Sequence, residues 1–421
     1  MISTLIKKYK FNISVVFVLV LPMLLICACE TISEDLPVFP VKNKTVFVYL
    51  IANNNLSGDA IKNIAEIESG FVPNDDVDNL VVYSHTVNAN PKLLRIYKDK
   101  EGKVVRDTVY NFPKTNSATA AALKSAISVV TTMYPAQENG LILWSHGTGW
   151  LPRGYYATGG FPTNANFYKN EKMRTEFPWR GYPGGIDPYA NMVKSFGADG
   201  NNEIEIFDLV KGLPHKFNYV IFDACLMGGI EVAYELKDST DYVMFSPTEV
   251  ITSGYCYSQM MSYLFQTPVN LTGMAQNVYN YYNSKPQGYQ YATISLVKTS
   301  ELKAVADAAK VVFNKYRANI STLNMEGIQK YFRADRHWFY DINDFIGQLA
   351  GHNGAVDAAA FKAALNNAVI YKATTPMFLD ISIDETKYSG ISTYIPNPKD
   401  EKLVEFYKKY QWEVTVGMTS K

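Results

Sequence analysis

Cysteine is scarce in this chain: 421 residues carry four, and two of those, Cys27 and Cys29, lie near the amino terminus. So few cannot staple a small fold together. No Cys-x-x-Cys pair occurs and no ligand spacing typical of a zinc site, so a structural zinc is not indicated. Charge of one sign is lacking too. Forty Lys and Arg balance forty Asp and Glu, and nothing in that balance points to nucleic acid or to an acidic substrate. The apolar run at residues 13–26 is short for a membrane span. What is present is a composition of 47% apolar and 19% charged residues, ample for a globular core and enough length for two domains or one elaborated domain. The 30 tyrosines fit a ligand-facing surface and an ordinary core equally well.

The amino terminus reads as a targeting segment. Lys7, Lys8 and Lys10 precede the apolar run, which has the length of a signal h-region. It ends Leu25-Ile26-Cys27-Ala28-Cys29, and Cys29 with Ala28 before it resembles the bacterial lipobox; Cys27 does not, because Ile26 would precede it. Residues 1–28 are therefore expected to be a lipoprotein signal peptide and 29–43 a polar linker. Lipidation at Cys29 would tether the mature protein to a membrane outside the cytoplasm, on the outer membrane or surface of a bacterial envelope. Cys225 and Cys256 remain. In an oxidising compartment they could form a disulfide or stay as two thiols, which a thiol count would separate.

Along the chain, strands are expected at 44–52, 79–86, 140–145, from 219, at 241–246 and 291–297, with a hairpin of 92–98 and 104–110. Helical patterns fall at 57–69, capped by Ser57 or Asp59, at 117–133, opened by Ser117, and at 204–213, 230–236, 257–265 and 272–284. This alternation predicts an α/β fold, a mostly parallel sheet with helices on both faces. Residues 151–196 show no period and carry the basic residues Lys169, Lys172, Arg174 and Arg180; a loop of that length is usually functional or disordered. Asp199-Gly200-Asn201-Asn202 reads either as a turn or as an incomplete calcium loop. From 299 to 421 the pattern is mainly helical, at 301–319, 337–349 and 355–371, closed by a strand pair at 377–383 and 390–395. That segment is expected to be a subdomain packed on the sheet of a domain spanning 44–298.

Two stretches carry chemistry. LILWSHGTGW (141–150) and YVIFDACLMGG (219–229) are apolar runs that each end in a reactive side chain and glycines. They place His146 and Cys225 at the carboxyl ends of parallel strands, where open α/β sheets hold their ligands. A thiol beside an imidazole is the minimum apparatus for covalent acyl transfer, and the N–H groups of Gly147 and Cys225 are candidates to receive the oxyanion. Glycine after the histidine lets backbone approach a substrate. Asp223, two residues before Cys225, points to the same face. A buried carboxylate there calls for a cation, either a substrate Arg or Lys or an internal base. His85 also ends a strand and is a rival base, whereas His215, His337 and His352 read as surface residues.

WSHGTGW and FDACLMGGIEVAYEL resemble the histidine and cysteine motifs of the clostripain family of cysteine peptidases, and YSGISTYIP resembles that family's closing strand. The resemblance runs from about 44 to 412. It implies a caspase-like α/β/α sandwich, as in gingipains and legumains, with His146 and Cys225 as the dyad, Gly147 and Cys225 as the oxyanion donors, and Asp223 as the acid for Arg or Lys. Glu249 is a candidate second pocket acid. The resemblance also implies peptide or protein substrates, no cofactor for the chemistry, calcium as a possible activator, and self-cleavage in 151–196. The rival readings are a non-catalytic surface lipoprotein of this fold that binds peptide or glycan, and an amide-cleaving enzyme of another specificity in which Asp223 is structural.

Overall fold

The apolar runs become the centre of one sheet. In a computed structural model, residues 36–158, 196–200, 202–333 and 336–420 are described. The chain falls into two units, Met1–Pro37 and Val38–Lys421, and everything below concerns the second. The targeting segment, Cys29 and the four basic residues of the long loop lie outside the described residues.

β1 (Lys42–Ala52) is buried along almost its whole length, as a strand covered on both faces must be. The chain continues through α1 (Ser57–Ser69), β2 (Asn79–Thr86), β3 (Lys92–Lys98), β4 (Val104–Asn111), α2 (Ala120–Met133) and β5 (Ala136–Trp144). After α3 (Tyr155–Thr158) come a small hairpin of β6 (Phe196–Asp199) and β7 (Asn202–Ile204), then α4 (Ile206–Lys211), β8 (Phe217–Asp223), α5 (Ile230–Glu235) and β9 (Thr240–Phe245). The rest comprises α6 (Tyr257–Leu264), α7 (Leu271–Asn283), β10 (Thr293–Lys298), α8 (Leu302–Tyr316), β11 (Tyr340–Asp341), α9 (Ile342–Ala350), α10 (Ala355–Ala368) and β12 (Val369–Thr374). It closes with β13 (Met377–Phe378), β14 (Ile381–Ser382), β15 (Ser392–Thr393), α11 (Glu401–Tyr407) and α12 (Gln411–Val416).

The nine-stranded sheet has the order β12-β10-β9-β8-β5-β1-β2-β3-β4. β9, β8, β5, β1 and β2 run parallel, and an antiparallel pair flanks them on each side. Alternate residues of β1 serve the two faces. Val46, Val48 and Leu50 join Ile64 of α1, Met260 and Leu264 of α6 and Val278 of α7 in one core. α2, α4, α5, α8, α10 and α12 form a second set of mutually packed helices. The mostly parallel sheet expected from the sequence is thus present.

Several elements differ from expectation, each for a local reason. Ser117 does not open α2. Its hydroxyl meets Tyr83 Oη and His85 Nδ1, and Thr119 caps the helix by accepting from Ala122 N at 3.1 Å. Ser57 caps nothing either: its Oγ accepts from Val87 N. The helix expected from 204 starts at Ile206, because Asn202–Ile204 pairs with β6. The helix expected at 337–349 starts at Ile342, where Asp341 accepts from the N–H groups of Asn343 and Asp344; Tyr340 and Asp341 pair instead with β15. The helix at 355–371 stops at Ala368, and Val369–Thr374 becomes an edge strand on β10. Residues 299–421 therefore contribute a strand to the main sheet as well as packing on it. The two closing strands do not pair with each other: β13 turns back on β14, and β15 joins β11.

Candidate active site

Register builds the site. β5 and β8 are adjacent and parallel, with Trp144 opposite Asp223. Both strands end there, so Ser145-His146 and Ala224-Cys225 leave the sheet side by side. β1 reaches slightly further, with Leu50 opposite Trp144, and its turn Asn53-Asn54-Asn55 passes the end of β5. Asn55 Oδ1 accepts from His146 Nε2 at 2.8 Å. These asparagines had no part in the site as read from the sequence. Three in a row at a central strand's end was the available signal.

The two loops interlock through backbone. A Cβ on Gly147 would lie 2.5 Å from the carbonyl oxygen of Cys225, and one on Gly149 would lie 2.5 Å from that of Leu226. Glycine is needed here for loop-on-loop contact, a tighter reason than substrate approach. Leu226 sits at φ 61°, a left-handed conformation costly for a side chain with a Cβ. It is held by Leu226 N donating to Thr248 O at 2.8 Å and Gly228 N to Ser246 O at 2.8 Å. Such imposed strain next to Cys225 is what functional loops often carry. No backbone acceptor takes the N–H of Gly147 or Cys225 among the described residues.

His146, Cys225, Asp223 and Glu249 line one pocket enclosing about 530 Å³, part of it open to solvent, with Leu56, Trp144, Gly254 and Phe378 among its walls. The sulfur of Cys225 accepts from Val250 N at 3.2 Å and lies 3.5 Å from Val250 O. It rests on backbone and makes no hydrogen bond to the imidazole. Burial, then the Glu249 carboxylate, push the thiol up to about 12, so the sulfur is protonated at neutral pH.

Asp223 Oδ2 accepts from Tyr255 N and Tyr257 Oη, both at 3.0 Å. Among the described residues Oδ1 has no hydrogen-bond partner and no internal base meets the carboxyl. Burial, only partly offset by those two donors, pushes Asp223 up to about 7. Gly254, at φ +67°, shapes this corner: a Cβ there would lie 2.6 Å from Oδ2. Tyr255, Tyr257 and Val250 were not singled out from the sequence, since nothing but the fold brings them to Asp223 and Cys225. Glu249 reaches the pocket, but Oε1 accepts from Tyr156 Oη at 3.1 Å and Arg333 Nη1 stands 3.7 Å from Oε2. Its carboxyl is engaged by the chain itself.

The other candidates fall elsewhere. His85 is buried, bonded through Nδ1 to Ser117 Oγ at 2.7 Å and Asp199 Oδ2 at 3.1 Å, and does not line the pocket. His215 is half-buried rather than superficial, and burial lowers its pKa. Cys225 and Cys256 are both free thiols, so the disulfide reading is excluded. Asp199 is engaged by His85, Ser117 N and Asn53. Among the described residues no group of three or more His, Cys, Asp or Glu side chains converges on a metal position.

Comparison with known proteins is consistent with this geometry. The sequence profile of the clostripain family matches residues 48–165 and 185–417. Clostripain of Hathewaya histolytica is 27% identical over 246 residues, which is 52% of this chain but only 42% of clostripain's own length. Two of the crystal structures that this chain resembles each cover 90% of it. One, an inactive zymogen C11 protease from Parabacteroides distasonis, has 29% identity and a TM-score of 0.73 over 99% of its length. The other, a secreted C11 cysteine protease from Bacteroides thetaiotaomicron with an irreversible peptide inhibitor, has 27% identity and a TM-score of 0.72 over 100% of its length. With the profile matched over most of its length, this chain belongs to the clostripain family of cysteine peptidases.

Proposed function

We propose that this protein is a cysteine endopeptidase that cleaves after Arg or Lys, with Cys225 as nucleophile and His146 as base and acid. The observation that carries the reading is that His146, Cys225 and Asp223 together line one pocket. A substrate's basic side chain would enter toward Asp223 Oδ1 and bring its carbonyl to the sulfur. As Sγ attacks, the S–H proton passes to His146, the S–C bond forms, and the carbonyl becomes an oxyanion received by the N–H groups of Gly147 and Cys225. Collapse breaks the C–N bond, and His146 protonates the departing amine. Water then attacks the thioester, loses a proton to His146 and releases the acid, and the proton returns to sulfur. Because the resting sulfur is a thiol, proton transfer must accompany attack.

In the same proposal residues 1–28 are a signal peptide, Cys29 carries lipid, and the enzyme is held outside the cytoplasm at the bacterial envelope. Calcium as activator and self-cleavage within 151–196 belong to it as well. The decisive assay compares amide reporters bearing Arg, Lys or a neutral residue before the scissile bond, with calcium or with chelator, for wild type and Cys225→Ala. Turnover of the basic reporters by wild type alone is expected. Silence on every reporter would leave a binding protein, and cleavage of neutral reporters alone would remove the role given to Asp223. Radiolabelled palmitate should enter wild type and not Cys29→Ala.

A further inference from the structure

The turn between β1 and α1 holds His146 by its ring. An amide oxygen can only accept, so the contact of Asn55 Oδ1 with His146 Nε2 at 2.8 Å fixes the proton on Nε2 and the basic lone pair on Nδ1. We propose that Asn55 is a positioning residue of the reaction, selecting the tautomer and ring orientation in which His146 takes the thiol proton. The inference rests on the peptidase reading above.

The neighbouring asparagines show how the turn divides its work. Asn53 Nδ2 donates to Asp199 Oδ1 at 2.6 Å, Asn54 Nδ2 donates to Ala198 O at 2.6 Å, and Asn54 Oδ1 accepts from Leu56 N at 2.8 Å. The first two bonds lock the turn to β6 and the third braces it internally. Asn55 is exposed and its side chain makes no hydrogen bond in that lock. β6 also holds the histidine's backbone, since Gly197 N donates to His146 O at 3.1 Å. Ring and backbone of His146 are thus referenced to one small frame.

The neutrality of the amide matters. Asp223, Glu249 and Cys225 line the pocket with His146, and His85 and Asp199 lie behind the turn. A further carboxylate on Nε2 would favour the imidazolium and move the range in which the ring acts as a base to higher pH. The amide orients the ring without that charge. When sulfur attacks, the S–H bond breaks and its proton moves to Nδ1, while Nε2–H stays on Asn55. The leaving nitrogen then takes the proton from Nδ1.

The test uses the full chain as wild type, Asn55→Ala and Asn55→Asp. Its readouts are kcat, KM and the pH profile on Arg and Lys reporters, together with the pH profile of Cys225 alkylation by iodoacetamide. Asn55→Ala should lower kcat by about 10- to 100-fold with KM unchanged, because general-base geometry is lost and substrate contacts are not. Its melting temperature should stay at the wild-type value. Asn55→Asp should retain more activity than Asn55→Ala and move the acid limb of both profiles up by about one pH unit. Wild-type kcat in Asn55→Ala, a change in KM alone, or an unmoved acid limb in Asn55→Asp would each overturn the inference and leave the peptidase reading intact. A wild type inactive on every reporter and unlabelled at Cys225 would overturn both.

Discussion

Taking a carboxylate out of water costs several kcal/mol unless a cation meets it. Among the described residues Asp223 is met only by a backbone N–H and a tyrosine hydroxyl. With its ionisation held up to about 7 by burial, the pocket gains its negative charge as pH rises through neutrality. We expect kcat/KM on Arg and Lys reporters to climb through pH 7. The same shift sets the sign of a stability effect. A folded-state pKa above the unfolded one stabilises fully below the unfolded value, near 3.8, and that contribution is lost as pH rises through about 7. Asp223→Asn should therefore lower kcat/KM on basic reporters about 100-fold or more, while its melting temperature at pH 8 equals or exceeds that of wild type. At Gly147 the constraint is steric. Alanine there would press a Cβ against the Cys225 carbonyl, and urea denaturation should show a loss of about 1–3 kcal/mol with loss of activity.

Among elements, those with continuous apolar cores were legible. β1, β5 and β8 announced themselves because strands buried on both faces need unbroken runs such as VFVYLI, LILW and YVIF. His146 and Cys225 each follow their strand by two residues, so the runs that mark β5 and β8 also mark where these two side chains leave the sheet. Val369–Thr374 was hidden by the alanine-rich α10 running into it, and its strand identity comes from β10 alongside. Ser117 was misread because a hydroxyl before an alanine-rich run looks like a cap, yet long-range partners claim it. Asn55, Val250 and Tyr257 were invisible because their partners lie 91, 25 and 34 residues away. The start of α2 gives a direct check. Thr119→Ala, losing an N-cap, should cost about 1 kcal/mol. Ser117→Ala, stripping partners from Tyr83, His85 and their buried network, should cost more, up to about 3 kcal/mol by urea denaturation.

Across the whole molecule, buried acids dominate the pH response. Asp223 and Glu205 are each pushed to about 7 by burial, and burial also raises Glu231, Asp341, Glu235 and Glu413. Each stabilises while protonated and loses that contribution as pH rises. His215, lowered by burial, acts in the opposite direction, and so does Asp199, where bonds from His85, Ser117 N and Asn53 outweigh burial. Between pH 5.5 and 8 the two acids pushed to about 7, Asp223 and Glu205, outweigh the one lowered imidazole, His215, so calorimetry should find the melting temperature several degrees higher at pH 5.5 than at pH 8. Strand order has its own consequence at this scale. β5 belongs to the stretch before residue 159 yet lies between β1 and β8, and β8 belongs to the stretch after 195. Halves produced separately, broken anywhere between those positions, would each display an open sheet edge that fits the other. Mixed, they should reconstitute a single particle on a sizing column while still giving two bands on a denaturing gel.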